Sequence, residues 1–226
     1  MKGFMMKRMV LGLFALSALV WSATAAQAVS YNFAQITSNG TAQIASQLSV
    51  DVTVSGTNVS FEFFNNVGIA SSITEIYFDD GLLGVPPTIT NNGTNFVTGA
   101  NPSNLPGGNT LTPPFVADIV FNAESVQQGG AAANGVNAAG DSVTLTFGLG
   151  SFVDLAAVQA ALANGSLRIG LHVISIAQPG GGNTSEAFVN TVPEASSTLL
   201  LGIALAGVAL VGSRKLRCTT GLRDVA

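Results

Sequence analysis

The sequence predicts an all-β protein: an antiparallel, jelly-roll-like β-sandwich with one short helix, a cleaved signal peptide before it and a single C-terminal transmembrane helix after it. Three observations predict it. Apolar and polar residues alternate in several short runs, the period of a strand with one buried face. Clusters of Gly, Asn, Pro and Ser separate those runs. Apolar segments stand at both ends of the chain, and seven of its eight basic residues accompany them.

The leader is the first element. Lys2, Lys7 and Arg8 form a basic n-region, residues 9–21 an apolar h-region, and Ala26-Gln27-Ala28 places small residues where signal peptidase reads them. Cleavage is expected between Ala28 and Val29, which removes Trp21, the chain's one tryptophan.

The body follows. Leu48, Val50, Val52 and Val54 alternate with Ser49, Asp51 and Thr53; Ser55-Gly56-Thr57-Asn58 is turn chemistry; Val59, Phe61 and Phe63 alternate again. Two period-two runs around a Gly turn predict a hairpin with one buried face. Residues 142–147 and 167–173 read as further strands, and Ile76-Tyr77-Phe78 as another. Between residues 151 and 165 the period changes. Ser151 and Asp154 resemble a capping box, Leu155, Val158, Ala161 and Leu162 recur at helical spacing, and Asn164-Gly165 closes the run. Residues 86–114 and 129–140, rich in Gly, Asn, Pro and Ala, are expected to be long loops. Residues 178–191 begin with a Gly-rich stretch and are expected to be a linker.

Residues 198–213 form a charge-free run of sixteen residues, followed by Arg214, Lys215 and Arg217. As a helix the run is roughly 24 Å long, and snorkelling cations extend its reach. Cations directly after a span stay cytoplasmic, so Arg214, Lys215 and Arg217 form a stop-transfer signal and the body is translocated.

Charge excludes some functions. Between residues 29 and 191 one cation, Arg168, faces ten acids, a net charge of −9. Such a body repels phosphate backbones, so nucleic acid is excluded as a partner. The single cysteine, Cys218, lies beyond the apolar run, so no intramolecular disulfide holds the body together.

Candidate chemistry within the body is sparse. His172, the only histidine, lies out of phase with its apolar strand neighbours and reads as a solvated or edge-satisfied side chain; a triad would need a Ser and an acid beside it. Asp79-Asp80-Gly81 follows a strand, and its carboxylates are a minor candidate for Ca²⁺ beside the commoner reading of strand-capping turn residues. Glu62 and Glu75 compete as a glycosidase carboxylate pair. The phenylalanines read mainly as core, and Tyr31 and Tyr77 are the only tyrosines. The chain is read as a non-enzyme without a cofactor.

The segment VPEASSTLLLGIALAGVALVGSRKLR joins a Pro-containing signature, a short span and a basic end. It resembles the PEP-CTERM sorting domain of exopolysaccharide-producing Gram-negative bacteria. Val192, Pro193 and Glu194 match the family's Val-Pro-Glu-Pro motif, and Ala195 stands where the family has its second Pro. The resemblance implies export through the Sec translocon, removal of the leader by signal peptidase, transient anchoring in the inner membrane and processing by an exosortase near Pro193-Glu194. It further implies a structural or adhesive protein of the cell surface or biofilm matrix, with exopolysaccharide as partner. The expected divisions are a signal peptide (1–28), a β-sandwich body (29–177), a linker (178–191), a sorting segment (192–217) and a cytoplasmic tail (218–226). Two other readings compete: an exported hydrolase acting on matrix polysaccharide, and a single-span protein that keeps its anchor.

Overall fold

A computed structural model describes residues 28–79, 83–100, 102–126 and 129–191. Ala26, Asp80, the sorting motif Val192, Pro193 and Glu194, the span at 198–213 and the cations Arg214, Lys215 and Arg217 lie outside them. The described residues form ten strands: β1 (Val29–Gln35), β2 (Leu48–Ser55), β3 (Asn58–Asn65), β4 (Ser72–Asp79), β5 (Gly84–Asn92), β6 (Phe96–Thr98), β7 (Ile119–Ala123), β8 (Ser142–Gly148), β9 (Arg168–Ala177) and β10 (Asn183–Asn190). Two helices accompany them, α1 (Gly130–Asn134) and α2 (Leu155–Asn164).

The predicted hairpin is present. β2 and β3 pair from Leu48↔Asn65 to Ser55↔Asn58, and Gly56 turns the chain at φ 59°. That left-handed conformation is cheap only for a residue without Cβ. Alternation then buries Val50, Val52, Val59, Phe61 and Phe63 on one face.

All pairings are antiparallel, and the strands form one continuous sheet in the order β5-β8-β3-β2-β1-β10-β9-β4-β7-β6. β1 is the joint. Residues 29–32 pair with β2, and residues 33–35 pair with β10. The sheet folds over at this joint, so its two halves face each other. Phe61 and Phe147 from one half meet Phe78 and Phe121 from the other, with centroids 5.0–6.2 Å apart in edge-to-face packing. All four rings are buried. Burial of such rings contributes about 2–3 kcal/mol each, and the edge contacts add to it. No disulfide is needed for a core of this size. The two end strands also touch. The Asn91 carboxamide donates to the Phe96 carbonyl (3.2 Å) and accepts from its amide (2.8 Å), closing the seam between β5 and β6.

Several expectations need correction. Asp154, not Ser151, caps α2: its carboxylate accepts from the Ala157 amide at 2.9 Å, and Gly165 ends the helix at φ 78°. A second helix, α1, occupies part of the region 129–140 read as loop. Residues 86–114 contain β5 and β6, not only loop. Pro86 and Pro87 hid β5, yet an end strand tolerates proline because one of its edges needs no donors; the ladder skips from Gly84 to Thr88 there.

The largest correction concerns the linker. Residues 183–190 of the expected linker 178–191 are β10, which lies mid-sheet between β1 and β9. Consecutive residues Glu186, Ala187 and Phe188 are all buried, so no alternation marks the strand. The cause is cover on both faces. Phe188 enters the core and Ala187 packs under an outer loop. Glu186 accepts from the Thr37 hydroxyl (2.6 Å) and from the amides of Asn39 (2.6 Å) and Gly40 (2.7 Å). Only the turn before it is Gly-rich: Gly180, Gly181 and Gly182 all adopt positive φ. Among the described residues, no helix is long and apolar enough to cross a membrane.

Candidate functional site

The outer face of β4 and β9 gathers most of the polar candidates. Ile76 and Phe78 point into the core, which turns Glu75, Tyr77 and Asp79 outward. Register sets Glu75 opposite His172, Tyr77 opposite Gly170, and Asp79 opposite Arg168. Nδ1 of His172 is hydrogen-bonded to the Glu75 carboxylate, and Arg168 is ion-paired with Asp79.

A strap of chain, residues 102–118, lies across this face. Leu105 and Phe115 pack on Tyr77 and Ala187. They approach residue 170 closely: a Cβ there would stand 2.8 Å from Leu105 Cδ2, so a larger residue would have to displace the Leu105 side chain. Polar ties hold the strap at both ends. The Tyr77 hydroxyl lies within bonding distance of the Pro102 carbonyl (3.0 Å) and the Glu75 carboxylate (3.1 Å). Arg168 donates from Nη1 to the Pro113 carbonyl (2.7 Å) and from Nη2 to the Pro114 carbonyl (2.6 Å), and its guanidinium stacks 5.2 Å over Phe115. Asp79 accepts from the Val116 amide (3.1 Å). Burial, the neighbouring Glu75 charge and the bond to Glu75 together raise the Tyr77 pKa far above the ordinary phenol value.

This geometry sorts the candidates. His172 does lie on the outer face, as its phase predicts, but Glu75 occupies its ring nitrogen. Among the described residues no hydroxyl is hydrogen-bonded to that ring. Glu62 and Glu75 do not pair. Glu62 sits on the outer face of β3 in the opposite half, where it accepts from the Ser142 hydroxyl at 2.9 Å. With the whole core between them, the two carboxylates are separated by at least the roughly 10 Å spacing of packed sheets and face opposite sides. Asp79 is occupied by Arg168 and the strap rather than free for Ca²⁺. No group of three or more His, Cys, Asp or Glu side chains suited to a metal ion occurs among the described residues.

Arg168 is the residue that sequence reasoning undervalued. Its signal was available: it is the one cation between residues 29 and 191. At the proposed leader boundary, Ala28 is exposed and β1 begins at Val29. No family model, no curated protein and no solved structure matches this chain.

Proposed function

We propose that the chain is an exported, exosortase-sorted protein of the cell surface or extracellular matrix, structural or adhesive in role. On this reading the folded sheet is a jelly-roll-like sandwich, released from a signal peptide ending at Ala28 and from a transmembrane helix at 198–213. Signal peptidase, the Sec translocon and an exosortase are its processing partners, and exopolysaccharide is its surroundings.

One observation carries the reading: the ten described strands, from Val29 to Asn190, lie wholly between the two sorting signals. β1 begins at Val29, directly after the signal-peptidase site. At the other end the Thr191 amide still donates to the Asn32 carbonyl (2.8 Å), and Val192-Pro193-Glu194 follows at once. Amides of residues 191 and 36 bond across the β1–β10 seam, so even-numbered β1 residues face it. Antiparallel register would set residue 193 opposite Ser30, and a proline there has no amide hydrogen to donate. A β1–β10 ladder continued in this register would therefore lack a donor at Pro193. Because residue 191 lies beside Asn32, both ends of the body leave on the same side. A folded precursor can therefore hold both hydrophobic ends in one membrane.

The hydrolase reading built on Glu62 and Glu75 has lost its geometry. Mass spectrometry of the secreted and cell-bound protein tests the proposal. Termini at Val29 and near Pro193 are expected. Replacing Val192, Pro193 and Glu194 with Ala should hold the protein in the inner membrane. An intact chain through Ala226 in wild-type cells, with location unchanged by the substitutions, identifies a plain anchored protein instead.

A further inference from the structure

Register sorts the loops between two ends of the body. Val29 pairs with Val52, so the β2–β3 turn lies at the end where the chain enters. Asn58 pairs with Gly148 and Gly148 with Gly84 in one half of the sheet; Asp79 pairs with Arg168 and Phe78 with Ile119 in the other. The segment joining β8 to β9, which contains α2, and the last residues of the strap before β7 therefore share that end. So does Thr191, bonded to Asn32, where the described chain leaves.

This end lacks charge where a water-facing helix ordinarily has it. α2 contains no charged residue. Val158, Ala161 and Leu162 enter the core, and the exposed positions are Ala156, Ala160 and Ala163. A helix with one face in water ordinarily carries charged or polar residues there. Val153, just before α2, is 82% exposed, and Val116 of the strap 60%. A third such side chain among the described residues, Val126 (85%), lies beyond the end of β7, at the opposite end of the body. Single exposed apolar side chains are ordinary. What distinguishes Val116 and Val153 is the surface that the tether brings to them.

Six residues, Val192 to Ser197, separate Thr191 from the charge-free run 198–213. Fully extended, six residues span roughly 20 Å. A body of this length has a radius of gyration of about 15 Å, so so short a tether keeps the exit end, not the opposite one, at the bilayer. Tethering also raises the effective concentration of the lipid surface at that end to the order of millimolar, and contacts too weak to hold a free body then suffice. Charge selects the kind of surface. Asp118 and Asp154 stand beside Val116 and Val153 in a body of net charge −9, so anionic lipid is repelled and neutral lipid is not.

We propose that in the membrane-anchored precursor the end formed by α2, Val153 and Val116 rests on a neutral lipid surface and holds the body upright above its tether. The proposal rests on the reading of residues 198–213 as a membrane span.

The test uses the precursor as the cell leaves it after leader removal, one chain per phosphatidylcholine nanodisc, with a gadolinium-bearing lipid as the relaxation probe. Amide relaxation should be enhanced at Val153, Ala156 and Ala160 and unenhanced at Val126. Phosphatidylglycerol discs should give less enhancement at the same amides. Val116→Asp combined with Val153→Asp changes two exposed positions, so β2 and β3 should keep their resonances. The enhancement at Ala156 and Ala160 should fall at least about threefold, because interfacial binding scales with the apolar area inserted. Enhancement that the double variant retains in full belongs to a body held near the bilayer by its tether alone and overturns the proposal. Equal enhancement at Val126 and Ala160 overturns it as well. A face protected only in discs that carry two chains belongs to a second copy, which also overturns it. A chain that does not enter the discs removes the span and this proposal together, and its lipid-free peak on size exclusion distinguishes that result from lost contact.

Discussion

At the level of single residues, the outer face of β4 and β9 shows how acids and phenols are used in a body without a disulfide. Tyr31 and Tyr77 are the chain's only tyrosines, and burial raises both pKa values in the folded state. An ionisable acid whose folded pKa is raised stays protonated in the native state after it has ionised in the unfolded one. Above the ordinary phenol pKa of about 10 the unfolded chain therefore binds fewer protons, and stability falls as pH rises. Below that pH the contribution is complete. The expected outcome is that absorbance at the phenolate band stays flat through the ordinary tyrosine range and then rises together with loss of far-ultraviolet β signal. Separate tyrosine titration before unfolding would contradict this burial. Glu186 makes a second prediction. Its carboxylate accepts two amides and one hydroxyl in a site 1% exposed. Glu186→Gln turns one acceptor into a donor aimed at donors. A loss of about 1–3 kcal/mol is expected from the urea midpoint at constant m-value.

At the level of elements, legibility followed periodicity. β2, β3, β8 and β9 each have one face in the core and one turned out, so alternation marks them in the sequence. α2 was legible from its 3.6-residue period and its Asn-Gly end, although its cap lay three residues later than expected. β10 was hidden because both its faces are covered, and β5 because two prolines interrupt it. The site was legible only in part. The phase of His172 on β9 placed it on the outer face, but its pairing with Glu75 depends on the register of β4 against β9, which no local pattern encodes. The same holds for the strap, whose Leu105 packs closely against Gly170. Gly170→Ala would push a methyl group into Leu105 and the Phe115 ring. It should cost about 1–3 kcal/mol, as overpacking does. It should also raise amide exchange selectively in residues 102–118 while β2 and β3 keep their protection. Uniform loss of protection would mean that the strap and the sheet unfold as one unit.

At the level of the whole molecule, the architecture depends on one seam. β1 divides its pairing between β2 and β10, and these two pairings alone join the halves of the sheet across hydrogen bonds at that point. Removing β10 would leave the 33–35 portion of β1 without its partner and expose an edge of β9 along most of its length. It would also remove Phe188 from the core, Ala187 from beneath the strap and Glu186 from the loop at 37–40. An unpaired central edge of that kind is a template for aggregation. A chain covering residues 29–177, the boundary that composition indicates, should therefore fail to give a cooperative unfolding transition and should aggregate. A chain covering residues 29–191 should unfold in one transition with the near-ultraviolet signal of buried rings. The comparison separates two accounts of residues 178–191. If both chains fold with the same midpoint, the segment is a tether that decorates a complete sheet. If only the longer one folds, the last strand before Val192-Pro193-Glu194 is a structural necessity, and a cut at Pro193-Glu194 leaves the sheet complete while a cut a few residues earlier would dismantle it.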